Sequence, residues 1–206
     1  MKLTVQQGKK DKIHILIDGE YTTTVDSLYF STCGYRNGQD IDDDELEEFL
    51  SAVNIRRAFN KAANILSYRD HSEKEILIKL RAAGFDDISS SAAIKRLREL
   101  RMLNDERFAE IYANELLRRK KFSKRRILQE LSLKGIDREI AENAINALEI
   151  DAKMCIIELL QTKFKGKFSD EKGKQRTVAA LSRMGYSFYD IKSAMSEAGS
   201  SIEEDF

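Results

Sequence analysis

Proline is absent from this 206-residue chain. An average chain of this length carries roughly ten prolines at the usual ~5%, so nothing here forbids long helices and glycine must end most of them. The only cysteines, Cys33 and Cys155, lie far apart with no CxxC and no neighbouring histidine. Neither a disulfide framework nor a zinc site is expected, only two reduced, partly buried thiols. Histidine is limited to His14, in an expected strand, and His71, beside Ser72 at an expected helix start, and both suit a structural imidazole.

Catalytic patterns are missing as well. Gly166 and Gly173-Lys174 are too far apart for a phosphate-cradling G-x-x-x-x-G-K-[ST] loop, and Gln175 stands where a hydroxyl is required. There is no G-x-S-x-G, no H-E-x-x-H and no useful Cys/His pairing. The expectation is a binding protein, not an enzyme, with no cofactor and no metal. The start Met-Lys-Leu-Thr-Val-Gln-Gln-Gly has no apolar leader core, and no run approaches the roughly 18 apolar residues of a membrane span, so a cytoplasmic protein with no membrane partner is expected.

An excess of one charge sign is also lacking: 35 Lys and Arg balance 35 Asp and Glu, although charged residues reach 34%. The balance is segregated. Residues 1–56 hold six basic and eleven acidic groups, residues 57–150 twenty and fifteen, and the remainder nine of each. With 42% hydrophobic residues, the chain is outside the composition of disorder.

At the N-terminus Leu3 and Val5, then Ile13, Ile15 and Ile17, alternate with polar residues, and Asp18-Gly19 precedes Tyr21–Val25. Alternation around Asp-Gly predicts a hairpin, here within a three-stranded appendage followed by a short helix near residues 26–32. Asp42-Asp43-Asp44-Glu45 then opens a helix striped by Leu46, Phe49, Leu50, Val53, Ala62, Ile65 and Leu66. Acids in a first turn complement the helix dipole. A metal-dependent nuclease site would need a second acidic cluster, and none converges from sequence.

From residue 57 onward the chain repeats itself every 50 or 51 residues. Leu80, Leu131 and Leu181 form one column, Gly84, Gly135 and Gly185 another, and Ala93-Ile94, Ala144-Ile145 and Ala194-Met195 a third. Each unit reads as three helices: the second ends at the glycine, and the third is begun by Asp86, Asp137 or Ser187. Ser72 and Glu75 form an S-x-x-E capping box. Ile76, Leu80 and Ala83, then Ile127, Leu131 and Leu133, are expected to face the other helices. The predicted fold is mainly all-α: a tandem array of three three-helix repeats in an elongated curved body, with the small β appendage in front. Boundaries fall at 1–35 for the appendage, 36–56 for a loop and the start of a long helix, 57–103, 104–150 and 151–199 for the repeats, and 200–206 for an acidic tail.

Arg118, Arg119, Lys120, Lys121, Lys124, Arg125 and Arg126 place seven cations in nine residues. The first four close a helix, where cations are favourable, but the last three open one, where they oppose the dipole. Lys124 and Arg126 map by the repeat onto Lys174 and Arg176, whereas the first unit has Glu73 and Glu75 there. Lys163, Lys165 and Lys167 interleave with Phe164 and Phe168 just before that helix, a mixture suited to phosphates and stacked bases. These twelve cations are the candidate polyanion contacts, placed for backbone rather than base reading. A helix-turn-helix reading of residues 123–148 is less economical, because the same outline recurs in every unit.

Arg69-Asp70-His71-Ser72-Glu73-Lys74-Glu75 with Leu80 and Gly84-Phe85, then Asp105-Glu106-Arg107-Phe108-Ala109 with Tyr112, then Arg125-Arg126-Ile127 with Glu130-Leu131 and Lys134-Gly135-Ile136, taken in order, closely resemble the RecX regulatory family. The resemblance runs from about Ala58 to Ala198. It departs at Lys121-Phe122-Ser123-Lys124, where the family often has a glycine-rich turn. It implies a cytoplasmic, monomeric negative modulator of the RecA recombinase that lies in the groove of the RecA filament on single-stranded DNA. It further implies inhibition of ATPase, strand exchange and coprotease activities, and a place in homologous recombination, DNA repair and the SOS response. The alternative is a stand-alone nucleic-acid-binding protein with no recombinase partner. Asn104 or Asp105 is expected as a cap, with Phe108 and Tyr112 on a buried face.

Overall fold

The computed structural model describes residues 1–167 and 170–203, the last five of these as backbone only. Phe168 and the tail residues Glu204 and Asp205 therefore lie outside the described residues. The fold is mostly helical with a small antiparallel sheet at the N-terminus. It divides into two compact units, Met1–Asn64 with Leu80–Leu97, and Ile65–Lys79 with the chain from Arg98 onward.

In the first unit, strands β1 (Leu3–Gln7), β2 (Lys12–Ile17) and β3 (Glu20–Asp26) pair in sequence order. Asp18 (φ 50°) and Gly19 (φ 88°) make the two-residue turn between β2 and β3, the geometry that favours Asp-Gly. Leu3, Ile13, Ile15, Ile17 and Val25 point to one side and bury against Phe49 and Val53, supplying the packing a lone three-stranded sheet needs. Helix α1 (Ser27–Thr32) is capped by Asp26, which accepts the Tyr29 N–H at 2.7 Å. Helix α2 (Asp43–Leu66) begins with a reciprocal pair. Asp42 Oδ1 accepts the Glu45 N–H at 2.8 Å, and Glu45 accepts the Asp42 N–H at 3.0 Å. This is a capping box with aspartate as the cap, so two of the four consecutive acids have a local structural purpose.

Helices α3 (Glu73–Ala82) and α4 (Asp87–Glu99) follow; then come α5 (Asp105–Glu115), α6 (Lys124–Leu133) and α7 (Arg138–Asn146), and finally α8 (Ala152–Gln161), α9 (Glu171–Arg183) and α10 (Phe188–Glu203). The three-helix repeat is therefore present three times. In each, the glycine is left-handed, with φ of 87°, 81° and 95° at Gly84, Gly135 and Gly185. The next N–H reaches back to the leucine column: Phe85 to Leu80, Ile136 to Leu131 and Tyr186 to Leu181, at 3.1–3.3 Å. This is the Schellman ending, and only glycine enters it without strain. Asp86, Asp137 and Ser187 each accept an N–H of the third helix. Phe108, Ile127, Leu131, Ile136 and Ile145 centre one core, and Ile156, Leu160, Leu181, Tyr186 and Ile191 another.

Two expected core positions are exposed instead. Leu133 is 68% exposed, because it stands two residues past Leu131 and so about 200° around the helix. Ala83 is also exposed, since α3 ends at Ala82 and its side chain leaves the stripe.

Within the second unit the glycine turns do a further job. The Lys134 carbonyl accepts the Ser72 hydroxyl at 2.7 Å, the Leu133 carbonyl accepts Lys74 Nζ at 3.3 Å, and Lys134 Nζ meets Glu75 at 2.6 Å. A Cβ on Gly135 would sit 2.6 Å from Lys74 Cβ. The α9–α10 turn repeats the device one period on: Ser123 N–H donates to the Met184 carbonyl at 3.1 Å, and a Gly185 Cβ would sit 2.3 Å from Ser123 Oγ. Ser72 and Ser123, like Gly135 and Gly185, are equivalent in the repeat. A glycine turn thus docks on the serine cap that opens the second helix of the preceding repeat. Despite their burial, the Glu75 carboxyl is held below its usual range by Lys134 and Arg69.

His71 is buried at the first of these joints and donates from Nδ1 to the Arg69 carbonyl at 2.9 Å. Burial lowers its pKa. The folded state therefore binds a proton less readily than the unfolded chain, whose histidine titrates near ~6.5. Folding stability is expected to be level above that pH and to fall as pH drops below it, until the folded imidazole protonates too. Urea midpoints at pH 7.5 and 5.5 check this: the drop should shrink in His71→Asn, and an identical drop in that variant would exclude His71 as its source.

Candidate nucleic-acid interface

Helix α5 continues into a five-residue π-helical turn, Leu116–Lys120, and then stops at Lys121 in the left-handed conformation, φ 53°. Lys121 stands where a glycine would be strain-free, and it is held there from three sides. Its N–H donates to the Leu117 carbonyl at 3.0 Å, its carbonyl accepts the Tyr186 hydroxyl at 2.6 Å, and its Nζ pairs with Glu158 at 2.8 Å. Tyr186 is buried, and burial pushes its phenol pKa up. Removing that hydroxyl in Tyr186→Phe leaves the Lys121 carbonyl without its partner, and a loss of about 1–2 kcal/mol is expected in urea unfolding. An unchanged midpoint would mean that water replaces the hydroxyl at no cost.

Ser123 caps α6 by accepting the Arg126 N–H, and Lys124, Arg125 and Arg126 fill its first turn with no acid among them. Of the four N–H groups that a helix start leaves without intrahelical partners, Ser123 N–H reaches the Met184 carbonyl and Arg126 N–H the Ser123 hydroxyl, which leaves those of Lys124 and Arg125. Three cations beside them cost stability, roughly 0.3–1 kcal/mol each where exposed. Arg126 has a compensating contact, since it pairs with Glu130, lies 5.5 Å from the Phe122 ring and packs beneath Gly185. Lys124 and Arg125 are exposed and have no ion-pair partner among the described residues. Arg118 and Lys120 are likewise exposed without one, whereas Arg119 pairs with Glu115 at 3.0 Å.

The seven cations therefore separate into two kinds. Lys121 and Arg126 are tied into the protein, while Arg118, Lys120, Lys124 and Arg125 present their charge outward, as does Arg119 in its surface pair with Glu115. The i,i+4 spacing of Arg126 and Glu130 is a signal that sequence offers, whereas Glu158, 37 residues from Lys121, carries none.

The second stretch is built on the other core. Phe164 buries among Ile156, Leu160 and Leu181, and Lys163 Nζ lies 5.5 Å from its ring. Lys165 and Lys167 are exposed. Helix α9 is capped by Asp170, which accepts the Gly173 N–H at 2.9 Å. A Cβ on Gly173 would stand 2.3 Å from the Lys167 carbonyl oxygen, so the basic loop lies directly on the first turn of α9. Lys167 and Arg176 share a groove of about 330 Å³ with the Asp170 carboxylate. Lys174 is exposed but is the fourth residue of α9, whereas its counterpart Lys124 is the first of α6. The columns of the repeat hold, but the helix starts do not coincide. Hydrogen bonds and ion pairs among the described residues join none of the 118–126 cations to the 163–176 cations; both stretches attach to one core, through Phe122 and Phe164.

The other sequence-selected residues serve structure. Asn104 caps α5 by accepting the Arg107 N–H, and Asp105 instead accepts the Glu73 N–H at 2.9 Å. Phe108 and Tyr112 stack with centroids 5.5 Å apart. No helix among the described residues is long and apolar enough to cross a membrane.

Fold and surface together define a tandem three-helix-repeat protein with outward-facing cations at the start of a repeat helix. Residues 58–97 match the first three-helix domain of RecX and residues 104–145 the second. The regulatory protein RecX of Listeria monocytogenes serotype 4a is 30% identical over 211 residues, spanning 98% of this chain and 78% of that one. That of Bacillus velezensis is 29% identical, spanning 95% and 76%. The solved RecX structure from Lactobacillus salivarius is 27% identical with a TM-score of 0.60, over 72% of this chain and 98% of that one. A second RecX crystal structure shares the fold at a TM-score of 0.70 and 19% identity, over 93% and 98%. The chain belongs to the RecX family of regulatory proteins.

Proposed function

We propose that this protein is a non-enzymatic negative regulator of the RecA recombinase. It binds in the groove of the RecA filament on single-stranded DNA and inhibits ATPase, strand exchange and coprotease activities. The observation that carries this reading is the first turn of α6, where Lys124 and Arg125 stand at an unfavourable end of a helix with no ion-pair partner among the described residues. Charges that cost the fold and are not neutralised within it suit phosphate oxygens outside it. Arg118, Lys120, Lys165, Lys167, Lys174 and Arg176 extend the cationic surface available to the backbone. Membership in a family of regulatory proteins supports the recombinase as the partner.

Contact with phosphates alone would also suit a nucleic-acid-binding protein that needs no recombinase. Fluorescence anisotropy separates the two, using one labelled oligonucleotide either naked or coated with RecA. A regulator of the filament binds the coated strand more tightly than the naked one. Equal or weaker binding to the coated strand would favour the stand-alone reading.

A further inference from the structure

The first unit carries a groove that the cationic surface does not explain. It measures about 400 Å³ and lies between the first three turns of α2 and the start of α4. Its apolar lining is Leu46, Leu50 and Ile88, the last 74% exposed, with Ser51, Asn54 and Ser89 beside them. Asp43, Glu47 and Asp86 complete the lining.

The helical spacing accounts for this arrangement. Residues 43, 46, 47 and 50 follow the i, i+3, i+4, i+7 rule and share one face of α2. Phe49 and Val53 turn toward the sheet core, and Leu46 and Leu50 lie at the border, touching that core while lining the groove. Asp43 and Glu47 are exposed, with no cation paired to either among the described residues. Asp86 accepts both the N–H and the hydroxyl of Ser89, and these bonds hold its carboxyl below the usual range, so it is ionised at neutral pH.

Three negative charges beside the apolar lining residues repel phosphate and select a cation with hydrocarbon beside it. We infer that this groove docks a basic amphipathic segment of the protein partner, seating an aliphatic side chain against Leu46, Leu50 and Ile88 and a lysine or arginine between Asp43 and Glu47. The chain thereby assigns its two partner chemistries to separate places: phosphates to the start of α6, protein to the start of α2. The identity of the partner as the protein of the RecA filament rests on the function proposed above.

Glu47→Lys and Ile88→Ser, each in the full chain, test the inference. Both side chains are exposed, so unchanged melting is the expected control. Each substitution is expected to weaken binding to RecA-coated oligonucleotide about tenfold, with affinity for the naked oligonucleotide kept within twofold. Unchanged filament affinity in both variants, where the parent protein binds, overturns the groove and leaves the proposed function standing. Equal losses on coated and naked strands also overturn it, because the groove would then act through nucleic acid or through the fold. If the parent protein does not bind the coated strand at all, the functional reading fails first and the inference falls with it.

Discussion

Charge reversal at Lys124 and Arg125 is expected to move stability and binding in opposite directions. The double variant Lys124→Glu, Arg125→Glu replaces two cations at the start of α6 by anions that complement its free N–H groups. Neither side chain breaks an ion pair among the described residues, so the fold is expected to gain about 1 kcal/mol, or roughly 2–4 °C in Tm for a chain of this size. Binding to the RecA filament on DNA is expected to weaken at least tenfold. Its salt dependence should also flatten, by roughly 0.7 in the log–log slope for each lost phosphate contact on single-stranded DNA. A destabilised variant would mean that the two cations serve an internal contact. Unchanged affinity would mean that they form only a solvated face. Arg126 is unsuited to the same experiment: its pairing with Glu130 and packing under Gly185 would mix a folding loss into the binding result.

The second large effect concerns the joints. Gly84, Gly135 and Gly185 share a left-handed backbone, so alanine costs each of them about 1 kcal/mol from conformation alone. Their surroundings differ. At Gly84 a new Cβ meets nothing within 4 Å. At Gly135 it meets Lys74, an exposed side chain whose outer atoms can move but whose Cβ, 2.6 Å away, cannot. At Gly185 it meets Ser123 Oγ, Arg126 Cβ at 2.7 Å and the Arg126 backbone nitrogen at 3.0 Å, none of them free to yield. Overpacking of that kind typically costs a further 1–3 kcal/mol. Destabilisation by alanine is therefore expected to rise in the order Gly84, Gly135, Gly185, from about 1 to about 3–4 kcal/mol, read from urea unfolding. Equal losses at the three positions would show that backbone conformation alone governs them and that the turns do not dock as described.

These joints also show what sequence can and cannot convey. The hairpin at Asp18-Gly19, the acidic start of α2, the capping box at Ser72 and the glycine endings were all legible, because each is a local geometry imposed by one or two residues. Spacing also revealed the repeat itself, since the same buried columns must recur in every unit. The docking of one repeat's glycine on the preceding repeat's serine was present as two columns, Ser72 with Ser123 and Gly135 with Gly185. No local rule connects residues 62 or 63 positions apart, so their contact became visible only in three dimensions. Leu133 went astray for a simpler reason, a step of two residues taken as part of a helical face. At the candidate interface, the cations were legible as a group but not all as individuals. Glu158 reaches Lys121 from 37 residues away and decides that this lysine is a structural tie. The apolar lining at Ile88 was hidden likewise, because Leu46 and Leu50 meet it only after the chain has folded back from α2 to α4.

Inhibition of the recombinase is read most directly from the single-stranded-DNA-dependent ATPase of RecA, titrated with the purified protein at constant salt. Turnover is expected to fall progressively as the protein is added, with the Lys124→Glu, Arg125→Glu variant requiring at least tenfold more protein for the same fall. Full ATPase turnover at every ratio of protein to RecA, with binding to naked single-stranded DNA intact, would contradict that expectation.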